Sequence, residues 1–326
     1  MMNEFINIVL LGMLAITALG VIFLTDLFAV VMLFGIYSFL SALIFINLDA
    51  VDVAFTEASV GAGITTVLML GTLALTGRRE KINTRPKLLP LLVVVLTGAV
   101  LIYGTMDMPA FGDPNNPAHQ HVAPRYIEKS PQEIGLPNMV TSVLASYRAF
   151  DTLGETAVVF AAAIGVFSLL GLPKAQLNTM ASGLKSHLVL RVVAKIIIPF
   201  TVLFALYVQF HGDYGPGGGF QAGVIAAAAI LLYTLVFGLP ISVQVVKPAL
   251  LKFLSALGVL IYAGTGLVSL FLGGNFLDYN VLATDPVAGQ HLGIILIELG
   301  VGITVFAAIL AIFYAFANQA ERTNIQ

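Results

Sequence analysis

The stretch VDVAFTEASVGAGITTVLMLGTLALT, residues 51–76, is apolar or small-residue throughout except for two acids, Asp52 and Glu57. It is long enough to cross a bilayer, which takes about 20 largely apolar residues. A carboxylate inside such a segment costs roughly 2.5 kcal/mol or more on insertion scales, so Glu57 needs water, an ion or a polar partner. Gly61, Ala62 and Gly63 follow it. Small residues let helices approach closely, and glycines tolerate a local π-bulge that exposes carbonyl groups. Two readings of Glu57 follow: a carboxylate on an ion route, or a helix-end acid at headgroup level.

The rest of the chain fits the same solvent. Hydrophobic residues make up 59% of the 326 and charged residues 10%, against about 25% charged in soluble domains. The expected fold is therefore all-α, a polytopic membrane protein. The net charge of −2, with no basic patch, gives no sign of a nucleic-acid partner. Absence of cysteine excludes disulfides, thiolate zinc sites and cysteine-ligated clusters on this chain. Tryptophan is also absent, which leaves interfacial anchoring to Tyr, Lys and Arg. The first apolar run has no basic stretch before it and reads as a retained span, not a removed signal.

Nine spans are expected: Phe5–Leu24, Leu27–Asn47, Val51–Thr76, Leu88–Tyr103, Asp151–Leu170, Leu188–Gln209, Gly219–Gly238, Leu250–Leu272 and Gly289–Ala317. With that number, the basic residues of three links and the tail fall on one side. They are Arg78, Arg79, Lys81, Arg85 and Lys87; Lys174, Lys185 and Arg191; Lys247 and Lys252; and Arg322. The positive-inside rule makes that side cytoplasmic, with the N-terminus outside and the C-terminus inside. Omitting the short fourth span would put the two main basic clusters on opposite faces.

Glu155, Lys195 and Glu298 are the next candidates within spans. Glu155 pairs at i, i+4 with Asp151, and Arg148 stands three residues before Asp151. The pattern suits either a relay or an ion pair that fixes a helix entry. Lys195 lies one turn before Pro199, which frees the Lys195 carbonyl; its stem is also long enough to snorkel outward. Glu298 follows His291 by seven residues, placing both on one helix face as a candidate proton relay.

The links carry two further motifs. His211-Gly-Asp213-Tyr-Gly-Pro216-Gly217-Gly218-Gly219-Phe-Gln221 is too rich in glycine and proline for helix, so span six turns tightly into span seven. His211 and Asp213 are its titratable groups, suited to a cation or water entrance. A phosphate cradle fits poorly because the Gly-Lys-Ser/Thr ending is missing. The outer link Met106–Asn138 holds Pro109, Pro114, Pro117, Pro124, Pro131 and Pro137, a spacing that predicts a cap or strap without continuous helix. His119 and His121 read as solvated loop. No metal site, catalytic residue or cofactor is expected.

Three blocks of sequence resemble one family. Ala54-Phe-Thr-Glu57-Ala-Ser-Val-Gly61-Ala-Gly63-Ile-Thr-Thr66 resembles the C-terminal region of the large A-type subunit of Mrp-type cation/proton antiporters, a module also found as small subunits of membrane-bound hydrogenases. Ser146-Tyr-Arg148-Ala-Phe-Asp151-Thr-Leu-Gly-Glu155-Thr-Ala157 resembles the next module of that region. From about His187 the chain is similar to the B-type subunit, through His211–Phe220, Gln290-His-Leu-Gly293 and Ile297-Glu298-Leu-Gly-Val-Gly302. The expected division is residues 1–86, 87–173 with the outer loop 106–138, and 187–326.

The resemblance implies a fused subunit of a multisubunit Na⁺/H⁺ antiporter in a prokaryotic cytoplasmic (inner) membrane. Its partners would be antiporter-like A- and D-type subunits and small C-, E-, F- and G-type subunits, with Na⁺ and H⁺ as cargo. The antiporter-like body of the A-type subunit has no counterpart here, so the implied chain works beside separate pumping subunits. Glu57 matches the family's intramembrane acid. Expected route residues are Glu57, Asp151, Glu155, Lys195, His211, Asp213, His291 and Glu298, with Gly61, Gly63, Arg148 and Pro216–Gly219 as structural support. Two alternatives stay open: a membrane subunit of a redox-driven, hydrogenase-like complex, and a scaffold whose acids only pair with partner helices.

Overall fold

In a bilayer every backbone N–H and C=O needs an internal partner, so apolar runs of this length become helices. The computed structural model describes residues 2–80, 88–110, 112–171 and 188–323. Among these it holds no strand and nine helices long and apolar enough to span a membrane. The expected links 81–87 and 172–187 lie outside the described residues. With them lie Lys81, Arg85, Lys87, Lys174, Lys185 and the expected module boundaries at 86/87 and 173/187.

The helices run α1 Met2–Phe23, α2 Leu27–Asn47, α3 Val51–Glu57, α4 Thr66–Leu75, α5 Leu88–Thr105, α6 Ala123–Glu133, α7 Met139–Ser142 and α8 Ala149–Leu170. They continue as α9 Leu188–His211, α10 Gly219–Phe237, α11 Leu239–Val245, α12 Pro248–Phe271 and α13 Pro286–Thr323. A π-helical segment, Ala58–Thr65, joins α3 to α4 and makes one span of them. The glycine-rich stretch after Glu57 thus adopts the local widening that its composition tolerates.

Between α1 and α2, Asp26 caps α2 by accepting from the amides of Phe28 and Ala29. It also pairs with Arg78 at 2.9 Å, tying that turn to the end of α4. The Arg78 guanidinium holds the Asp26 carboxyl below its usual range, against an opposing push from desolvation. Both groups are solvent-exposed, so the pair fixes geometry more than stability.

Among its described residues the link 106–138 carries no continuous helix, as its proline spacing predicts. Its prolines break it into pieces, yet α6 forms within it. Pro124 sits in the first turn, where a missing amide costs no hydrogen bond, and Pro131 falls near the other end. Ser130, Ile134 and Leu136 bury one side of this segment. Glu133 holds the other elements in place: it pairs with Arg125 at 2.9 Å and accepts from the Tyr147 hydroxyl at 2.6 Å. Burial, helped by Glu133, pushes the Tyr147 phenol up to about 12.

The packed core lies toward the C-terminus, where α10 and α12 pack on α13. Small residues allow the close approach. A side chain at Gly258 would run into the Gly300 carbonyl and Thr304, and one at Gly223 into the Gly302 carbonyl. Three buried hydroxyls, those of Thr234, Ser242 and Tyr314, are linked in a chain at 2.7 Å per step.

Candidate functional site

A cavity of about 280 Å³ opens where α3, α8, α10 and α13 meet beneath the turn between α9 and α10. Its polar lining is Asp52 and Thr56 from α3, Thr141 from α7, Thr152, Glu155 and Thr156 from α8, Gln221 from α10 and Glu298 from α13. Gly217, Gly218 and Gly219 form its edge. Apolar side chains, including Leu144, Phe220, Ile297 and Val301, complete the wall.

The glycines of the edge are there for geometry. Gly218 has φ +117, a conformation that side chains resist, and a Cβ on it would stand 3.1 Å from Glu298 Oε1. At Gly219 a Cβ would collide with the Glu298 carbonyl. The turn can therefore lie directly against α13 and bring Glu298 beneath its backbone. From the opposite side, Asp52 Oδ1 accepts the Gly217 amide at 3.3 Å, and Gln221 Nε2 donates to Thr56 Oγ1 at 2.7 Å. Residues 165 positions apart in the chain thus share one wall.

The expected route residues divide between this cavity and other places. Glu155 and Glu298, both expected route residues, face the same cavity. Glu57 does not line it. Its carboxylate lies beside Gly61 and Ser38 of α2, so close that a Cβ on Gly61 would be 2.6 Å from both Glu57 Oε1 and Ser38 Oγ. Gly61 therefore makes room for that carboxylate, whereas a Cβ at Gly63 would meet only the Ala58 carbonyl, at 3.5 Å. Asp151 is exposed and paired with Arg148 at 2.5 Å, the ion-pair reading of the α8 entry.

Lys195 stands on the exposed face of α9, away from Glu298 and the cavity lining. Pro199 singles it out in the sequence, but α9 meets α10 through its other side, where Ala194, Ala205 and Val208 are buried. His211 stacks on Tyr207 with ring centroids 4.8 Å apart. Pro216 lines a separate apolar groove with Phe39, Ile46 and Phe55. His291 shares α13 with Glu298, but its Nε2 is buried without a hydrogen-bond partner and lies beside Gly135. It also acts on Asp213, whose carboxyl is pushed up by burial and drawn back by His291. The helical spacing of His291 and Glu298 is real, but His291 does not line the cavity.

Sequence reading misses Asp52, Thr56, Thr141, Thr152, Thr156 and Gln221 as lining residues. One signal exists: Asp52 and Thr56 are at i, i+4, so they share the α3 face that meets the turn. Chemically the cavity offers three carboxylates, hydroxyls and a carboxamide, the hard oxygen donors suited to protons and hard cations. Among the described residues no group of three His, Asp or Glu converges at metal-holding spacing. The acids are spread along the wall, on α3, α8 and α13.

Fold and cavity define a polytopic membrane subunit with carboxylates held at a helix junction. Residues 189–311 match MnhB, the domain related to the MnhB subunit of Na⁺/H⁺ antiporters; residues 12–78 match MbhD, the D-type MBH subunit, and 91–184 match MbhE, the E-type MBH subunit. A putative antiporter subunit mnhB2 of Staphylococcus aureus is 31% identical over 41% of this chain and 96% of its own length. A probable fused A/B-type subunit of a K⁺/H⁺ antiporter of Rhizobium meliloti is 28% identical over 90% of this chain, which spans only 32% of that relative. The Mrp complex of Dietzia sp. DQ12-45-1b aligns over 95% of this chain and 34% of its own, with TM-score 0.74 and 26% identity. The archaeal membrane-bound sulfane sulfur reductase aligns over 71% of this chain and 97% of its own, with TM-score 0.55 and 30% identity. The chain belongs to the Mrp/Mnh family of antiporter-complex subunits, and its MnhB-type stretch follows two MBH-type stretches.

Proposed function

We propose that this chain is a membrane subunit of a multisubunit monovalent cation/proton antiporter and that its cavity forms part of the ion route. The observation that carries the proposal is the meeting of Glu155 and Glu298, from two helices, at one cavity beneath the glycine turn. Asp52 is the third acid of that route. Asp213, with His291 and His211 as neighbouring titratable groups, guards the outer mouth. Glu57, set against α2, serves a neighbouring path or the α2–α3 joint. Lys195, Asp151 and Arg148 serve subunit contacts.

The cargo is Na⁺ or another monovalent cation exchanged for H⁺; the K⁺/H⁺ relative and the Na⁺/H⁺ family model support the class more than the ion. Partners are antiporter-like A- and D-type subunits and the small C-, E-, F- and G-type subunits. The membrane is the prokaryotic cytoplasmic membrane, with the N-terminus outside, as the basic residues of the links suggest. The three proposed modules are 1–86, 87–173 and 187–326. The role is that of a transporter subunit, without a reaction of its own.

Glu298→Gln tests the reading because it keeps the shape and removes the charge. Cation-dependent proton flux in everted vesicles should fall at least tenfold, roughly 1.4 kcal/mol of lost charge handling, while the complex still assembles on a native gel. Unchanged flux in an assembled complex would remove Glu298 from the route. A second reading has its own support: the 30% identity to the sulfane sulfur reductase complex, nearly the whole of whose chain is covered. In that setting the same cavity passes ions while another subunit does electron chemistry. Flux that needs a reductant and not a cation gradient would favour it.

A further inference from the structure

Asn138 closes the outer link, and both ends of its side-chain amide are engaged. Its Oδ1 accepts from the Val140 amide at 3.0 Å and caps α7. Its Nδ2 donates to the carbonyls of Gly212 at 2.9 Å and Gly215 at 3.0 Å. The same nitrogen stands 3.5 Å from Asp52 Oδ1. Its backbone amide donates to the Asp213 carbonyl at 3.0 Å. The residue is 8% exposed. Thr141, one turn on, donates a further bond to the Gly212 carbonyl at 2.7 Å.

These bonds join three distant parts of the chain: the start of α3, the outer link and the α9–α10 turn. They are also directional. Two donor bonds hold the carbonyls of Gly212 and Gly215 toward Asn138. That orientation leaves the Gly217 amide pointing at Asp52 and Gly218 lying against Glu298. An aspartate would match the shape and the cap, but it would present a carboxylate to two carbonyls and to Asp52. A side-chain amide of this length both caps α7 and donates to the turn.

We propose that Asn138 is a positioning residue that sets the glycine turn over the cavity and thereby fixes the distance from Asp52 to Glu298 at the cation entrance. The proposal rests on the ion-route reading above. It assigns the long outer link a part in ion handling: the link carries the donor that shapes the mouth.

The test uses the full complex in everted vesicles, with Na⁺ and K⁺ each as the probe cation. Asn138→Ser keeps a good helix cap but is too short to reach the turn carbonyls; Asn138→Asp keeps the shape and reverses the donor. Losing two hydrogen bonds at the mouth should raise the apparent KM for the cation about tenfold, with a much smaller change in maximal flux and with assembly retained. Amide exchange across residues 211–219 should become faster in both variants. KM and exchange both within about twofold of wild type in assembled complexes would overturn the proposal. If Asn138→Asp alone blocks assembly, the added change Asp52→Asn should restore assembly by removing the like charge, and failure to do so would also overturn it. Absence of cation-dependent flux in the wild-type complex would instead sink the ion-route reading, and the exchange measurement would still judge the role of Asn138 in the turn.

Discussion

The two ends of the chain meet the membrane in different ways. In α13, 67% of the spanning window is buried inside the chain, and in α10 half of it; in α1 and α5 none is. The C-terminal helices are locked by glycine-to-backbone contacts and paired hydroxyls. By contrast, α5 is apolar on every side, and a side chain at Gly98 or Gly104 would meet nothing. A helix apolar all round needs lipid or another protein around it. The difference separates a self-supporting core from arms built to be covered. The candidate cavity lies at the seam between them, where α3 and α8 reach the α10–α13 core.

The sharpest way to break this comparison is to put the same side chain on both ends. Gly258→Leu should cost about 3 kcal/mol or abolish the folded chain, because the Gly300 carbonyl and Thr304 occupy the space. Thermal stability of the detergent-solubilised chain reports it. Gly98→Leu should leave that stability within about 0.5 kcal/mol. A large loss at Gly98 in the chain alone would mean that α5 packs on its own core after all; a loss seen only in the complex would mark α5 as a subunit contact.

A smaller effect sharpens the seam. Glu155→Gln should lower cation-dependent proton flux severalfold while leaving assembly intact, since Glu155 lines the cavity at its α8 wall, outside the interlocked core. If it instead dissociates the complex on a native gel, Glu155 is a partner contact and the seam is structural. The smallest effect concerns Asp213 at the mouth. Burial raises its folded pKa above the ordinary 3.8. The folded state then holds that proton more tightly than the unfolded state, so its contribution is full below 3.8 and is lost as pH rises through the raised value. Asp213→Asn should flatten the pH dependence of thermal stability in that window; an unchanged profile would show that Asp213 titrates normally.

Much of this architecture is legible in the residues. Apolar run length dictates spans because hydrocarbon forbids unpaired backbone, and all nine expected spans form helices. The turn after His211 is legible because glycine and proline cannot continue a helix. The helix α6 is not, since proline spacing limits continuous helix but does not report that Ala123–Glu133 can hold Pro124 and Pro131 and still bury Ser130. The acids stand out by their cost in hydrocarbon, which says that each needs a partner and never which one. Glu57 and Lys195 show the limit: equal in cost to Glu298 by that reasoning, they stand outside the cavity it lines.

The sequence by itself determined the solvent, the helices, the breaks and the list of groups too costly to leave unpartnered. Each follows from local chemistry, the transfer of a side chain or a peptide group into lipid. Only the tertiary structure decided that Asp52 meets Gly217, that Thr56 meets Gln221, and that Asn138 holds the turn over Glu298. Those contacts depend on which helix faces meet. Interlocking small residues of α10, α12 and α13 and of the glycine turn set that meeting, and no segment carries it alone.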